Sequence, residues 1–148
     1  MNLGITPYAT ETEIEAIGAR FANLTLPKEA WTHAAHFAAA IWLIRRRADI
    51  LPERDMPGMI RRYNESVGGV NSATAGYHET ITLASIRATR AFLDAETGER
   101  PLHESHAALM AGRCGDKDWL SAYWSRERLL SVEARRIWVE PDILPFPF

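Results

Sequence analysis

One cysteine in 148 residues excludes an intrachain disulfide framework and any metal centre that needs several thiolates from one chain. Cys114 stands in Gly112-Arg113-Cys114-Gly115 with no cysteine motif around it, so an inert thiol is expected. Lysine is scarce as well: the basic residues number 17, and all but Lys28 and Lys117 are arginine. Against 19 acidic residues they leave a formal charge of −2, which argues against a broad electrostatic footprint for nucleic acid. No apolar run is long. The longest, Phe37 to Ile44, falls far short of the ~18–20 residues of a membrane span. The start, Met1 to Glu13, lacks the basic-then-apolar order of a signal peptide, so a cytoplasmic address is expected.

What is present is an ordinary globular composition, 47% hydrophobic and 24% charged. A chain of this size buries about 68–70% of its unfolded surface, enough for one domain over residues 1–148 without a structural metal. A bound metal would therefore serve function. Sustained period-two alternation is missing and apolar residues recur near every 3.6 positions, which predicts an all-α fold. The expected form is a compact helical bundle with two long central helices, several short ones and an extended Pro-rich C-terminal tail. Thr10 caps a first helix running to about Asn23. Pro27 opens a long one through Ala48, ended by Leu51-Pro52. A shorter helix covers about 55–67 and stops at Gly68-Gly69. After a polar loop over 70–76, the second long helix spans about 77–96. Shorter helices follow from Pro101, over 117–124 and from Ser131. The tail, with three prolines in Glu140 to Phe148, is expected to be pinned by Ile143, Phe146 and Phe148.

The polar residues of the two long helices carry the functional signal. With residues about 100° apart, Ala30, Ala34, Phe37, Ala40, Ile41 and Ile44 form the core stripe of the first long helix. His33 lies close to its centre, and Glu29 and His36 on its shoulder. An i, i+3 histidine pair can aim both rings at one point, as metal sites in bundles do. On the second long helix His78, Thr82, Ser85 and Thr89 line a flank beside the apolar stripe. Such hydroxyls either bond back to their own helix or face a cavity.

If the two helices are neighbours, His33, His36 and His78 converge as ligands for a divalent metal such as Zn, Fe or Mn. Metal-bound water would then be a nucleophile near neutral pH. Glu65 or Glu79 would act as acid or base, and Tyr77 and Asn71 would orient substrate. Asn64, Asn71, Thr82 and Ser85 would line the binding site, with an anion pocket at the start of the second long helix. The reading is a small metal-dependent enzyme, hydrolase-like. The alternative is a non-catalytic small-molecule-binding or self-associating helical domain in which the histidines are hydrogen-bonded core residues. The partners expected are a small-molecule substrate or ligand, or a second copy of the chain, with no nucleic acid and no membrane. The arginine clusters Arg45 to Arg47, Arg61/Arg62 and Arg135/Arg136 read mainly as helix-end and surface charges. His103 and His106 read as a solvated pair. Trp119, Tyr123, Trp124 and Trp138 read as core.

At Trp31-Thr-His33-Ala-Ala-His36 and at Gly76-Tyr77-His78-Glu79-Thr80-Ile81-Thr82 the chain resembles a group of small, uncharacterised bacterial helical proteins. Leu130 to Arg135 and Val139 to Asp142 are similar too. The resemblance runs from about residue 28 to the end and implies one compact all-helical unit, with no activity attached. A looser similarity links the chain to four-helix metal-dependent proteins, but the three separated histidine motifs of the DinB-like group are missing. It bears on architecture alone.

Overall fold

Side-chain caps set the helix boundaries. Thr10 accepts the amide of Glu13 and starts α1 (Glu11–Ala22), as its sequence predicts. Thr32 accepts the amide of Ala35 and starts α2 (His33–Arg46), and this cap splits the long helix expected from Pro27. Lys28–Ala30 is a separate 3-10 turn, so Glu29 does not share a helix flank with His33 and His36. Pro52, expected only to end a helix, instead occupies the first turn of α3 (Pro52–Ser66), where its missing amide costs nothing. His78 caps α4 (Glu79–Ala95) through its own ring. Next come α5 (Leu102–Ala111), a 3-10 turn at Arg113–Gly115, a second at Trp119–Ala122, α6 (Arg126–Leu129) and α7 (Val132–Arg136). Ser125 and Ser131 cap the last two helices, and α6 had no counterpart in the sequence reading.

The computed structural model describes residues 8–148, and among them the fold is all-helical, with no strand. The reading of the first seven residues lies outside that range. No described helix is long and apolar enough to cross a membrane.

Helix α2 is the hub, packing against α1, α3, α4 and α5. From Phe37 to Leu43 every residue is buried, the pattern of a helix enclosed on nearly all sides. Gly18 lets α1 approach it: a Cβ there would lie 2.4 Å from the Trp42 ring. The two helices expected to be central, α2 and α4, are in contact. Arg45 and Arg46 in the last turn of α2 pair with Glu96 and Glu11, the structural role expected of them.

The C-terminal segment wraps back over this bundle. Thr80, fully buried, donates to the carbonyl of Ile137 at 2.9 Å and accepts the Val139 amide at 3.2 Å. Trp124 donates to the Val139 carbonyl. Phe146 packs on Trp119, Tyr123, Trp124 and Trp138, and Phe148 on Phe146. Ile143 is held differently from the expectation: its side chain is exposed, and its backbone amide donates to the Tyr123 carbonyl.

Candidate functional site

Three cavities meet at His36 and Ile81, on the facing flanks of α2 and α4. The outer one, about 590 Å³, is closed by Lys117, Trp119, Trp124, Arg126 and Leu129 from the C-terminal segment. The second, about 560 Å³, lies on the other side, toward Trp31, Tyr63, Asn64, Tyr77 and Thr82. A small apolar chamber of about 60 Å³ sits between α2, α3 and α4, with Ser85, Thr82 and Thr89 in its wall. The hydroxyl flank of α4 thus borders a cavity. Thr89 alone bonds back to its own helix, donating to the Ser85 carbonyl at 2.8 Å.

The three histidines are placed differently from one another. His36 Nδ1 lies 2.6 Å from the Thr32 carbonyl, so that nitrogen carries the proton and donates. Nε2 keeps its lone pair and has no hydrogen-bond partner among the described residues. Trp31 packs against the ring at 3.9 Å between centroids and fixes its plane. Burial pushes the His36 pKa down to about 4, more than the Thr32 bond raises it, and the nearby His33 pushes the same way. His33 donates from Nε2 to the Cys114 carbonyl at 2.7 Å, which ties α2 to the turn after α5.

His78 has no nitrogen to spare. Its Nδ1 accepts the Ile81 amide at 3.2 Å, and its Nε2 donates to the Leu129 carbonyl at 2.7 Å. Burial also lowers its pKa. His78 thus has no nitrogen left for a metal, and among the described residues no group of three or more His, Cys, Asp or Glu is placed to hold a metal ion. A helix-capping imidazole was not foreseen, because Tyr77 and His78 were expected inside the helix.

Of the two expected acid/base residues, one is hydrogen-bonded and the other lies away from the cavities. Glu79 accepts the Tyr77 hydroxyl at 2.5 Å, and burial, with this bond adding to it, raises the tyrosine pKa. Glu65 is exposed near the end of α3 and lines none of the three cavities. Asn71 is a structural pivot. Its Oδ1 accepts from Asn64 Nδ2 and the Tyr77 amide, and its Nδ2 donates to the Arg61 carbonyl. Asn64, Thr82 and Ser85 do line the cleft, as expected.

His106 is not solvated: it is fully buried, donates from Nε2 to the Ala34 carbonyl at 2.9 Å, and has no partner on Nδ1. Burial lowers its pKa. Cys114 matches the inert reading, its thiol pushed up to about 11 by burial. What the sequence reading did not find is the outer wall. Lys117 and Arg126 are exposed, line the larger cavity beside Asp118, and form no ion pair among the described residues. Their one sequence signal is two cations bracketing the Trp119 to Trp124 aromatic run.

Compared with known proteins, the chain matches no family model, no curated protein and no solved structure.

Proposed function

We propose that this chain is a small-molecule-binding helical domain whose ligand is an amphipathic organic anion held between α2 and α4. The observation that supports it best is the mixed lining of the outer cavity, two cations with mostly apolar walls. Lys117 and Arg126, both exposed and without an ion pair among the described residues, line it together with Asp118; Phe37, Ile81, Leu120 and Leu129 supply apolar walls, and His36 with Ser85 adds polar groups. A volume of about 590 Å³ falls in the range of small-ligand sites, and mostly apolar walls with a few placed polar groups are their usual make-up. The carboxylate or sulfonate would sit at the cations, the hydrocarbon body against the apolar walls.

Binding accounts for His36 better than proton transfer does. With a pKa of about 4 the ring is neutral at pH 7 but a weak base, far from the value that favours general-base work. Its fixed tautomer and open Nε2 suit acceptance of one hydrogen bond from a ligand hydroxyl or amide.

Titration with octanoate and with octanol, followed by tryptophan fluorescence and amide NMR shifts, tests this. Octanoate should bind saturably and at least 5-fold more tightly than octanol, shifting His36, Ser85 and Trp119. Lys117→Gln with Arg126→Gln should remove that preference. No saturable binding of either compound, or equal affinity for both in the unaltered protein, would overturn the reading.

A further inference from the structure

A second concavity lies away from the α2/α4 cleft, and its make-up is different. It has a volume of about 330 Å³ and is lined by Arg61 from α3, Arg135 and Arg136 from α7, and Asn71, Ser72 and Tyr77 around the loop between α3 and α4. Three guanidinium groups from two helices share one small hollow whose lining contains no carboxylate. Six other arginines, Arg45, Arg46, Arg47, Arg54, Arg90 and Arg100, each pair with an Asp or Glu; these three do not.

The three are held in ways that leave their charge uncompensated. Arg61 lies over the Tyr77 ring at 4.3 Å, a stacking contact that leaves the in-plane N–H groups free. Arg135 donates from one terminal nitrogen to the Gly76 carbonyl at 2.8 Å and keeps its other N–H groups for another acceptor. Arg136 is exposed and has no hydrogen-bond or ion-pair partner among the described residues. The loop beneath them is firm. Asn71 clamps it through three hydrogen bonds. Gly76 has φ +80°, and a Cβ there would lie 2.4 Å from the Val70 carbonyl oxygen. Like charges gathered on a rigid support repel one another, and an anion relieves that repulsion without reorganisation. One carboxylate offers two oxygens, too few for three forks. A phosphoryl group offers three, and Arg–phosphate bonds are commonly bidentate.

We propose that Arg61, Arg135 and Arg136 form a binding site for a phosphate-bearing small anion, separate from the α2/α4 cleft. The N-terminal amides of α4 do not make this site, since the His78 ring already caps Ile81.

Isothermal titration with pyrophosphate at constant ionic strength tests it. Saturable binding to one site per chain is expected. Arg136→Gln and Arg61→Gln should each weaken it at least 10-fold, with unchanged melting midpoints showing that the fold persists. Lys117→Gln with Arg126→Gln should change it less than 2-fold, which separates this site from the cleft. No saturable heat with the unaltered protein, or affinity that survives both α3 and α7 substitutions, overturns the proposal. So does binding lost only in the Lys117/Arg126 variant.

Discussion

Acidification should destabilise this fold well above the pH at which its carboxylates titrate. His36, His78 and His106 all have pKa values lowered by burial, so in each case the folded chain holds its proton less tightly than the unfolded chain. The stabilisation is complete above the unfolded value of 6.5 and is lost as pH falls from there toward the folded value. For His36, with a folded value of about 4, linkage between pH 7 and pH 5 amounts to about 2 kcal/mol. Its Nε2 faces a cleft that water can enter, which reduces this to about 1–2 kcal/mol. The carboxylates that gain from partners, Glu53, Asp55 and Asp142, have lowered values, so they give way mainly below that window. Urea unfolding at pH 7 and pH 5, for the unaltered chain and for His36→Gln, measures the difference. The unaltered chain should lose stability on acidification, and His36→Gln should lose about 1–2 kcal/mol less. Equal losses in the two proteins, or an imidazole NMR titration of His36 centred near 6.5, would refute the placement of that ring.

Thr80→Val should cost about 1–3 kcal/mol in urea unfolding at pH 7, because the buried Val139 amide loses its acceptor while side-chain volume hardly changes; Thr80→Ser should recover most of the loss. Gly18→Ala should lower stability by about 1–3 kcal/mol although alanine favours helix, since the added Cβ meets three Trp42 ring atoms at 2.4–2.8 Å; a thermal scan showing stabilisation would contradict the α1/α2 contact. EDTA should leave the melting midpoint unchanged, and Zn²⁺ at tens of micromolar should not raise it. A tight ion site would contribute about 3 kcal/mol at a hundredfold excess over Kd, a rise of about 5–10 °C.

Local signals were legible in the sequence, and long-range ones were not. Thr10, the polar loop over 70–76 and Ser131 marked their boundaries because capping and turn chemistry act within three or four residues. Thr32 carried the same signal, yet the apolar periodicity on both sides of it read as one helix from Pro27. The polar flanks of α2 and α4 were each legible on the helical wheel, and their facing each other was not: His36, Thr82 and Ser85 share a cavity. His106 also had a readable pattern, since Leu102, His106 and Leu109 follow the i, i+4, i+7 spacing of a buried face. Its neighbours Glu104 and Ser105 are polar, which gives this turn the local look of a solvated face although helical spacing turns His106 inward. The fates of His33 and His78 were beyond reach, for their partners Cys114 and Leu129 lie 81 and 51 positions away.

Those distant partners decide the chemistry. An imidazole is available to a metal or ligand only through a nitrogen that the fold leaves unpaired, and backbone amides and carbonyls compete for it at no cost in charge. His78 loses both nitrogens to this competition and becomes a structural tie between α4 and α6. His33 and His36 lose one each, and of their remaining lone pairs the one on His36 Nε2 lies where three cavities join. The arginines sort by the same rule. Carboxylates neutralise one set, whereas backbone carbonyls and an aromatic face hold Arg135 and Arg61 while leaving their charge intact. A formal charge of −2 is compatible with hollows lined by unpaired arginines, because the total does not fix where the ion pairs form. Total charge governs solubility and long-range attraction, and the distribution of pairing governs recognition of a small anion.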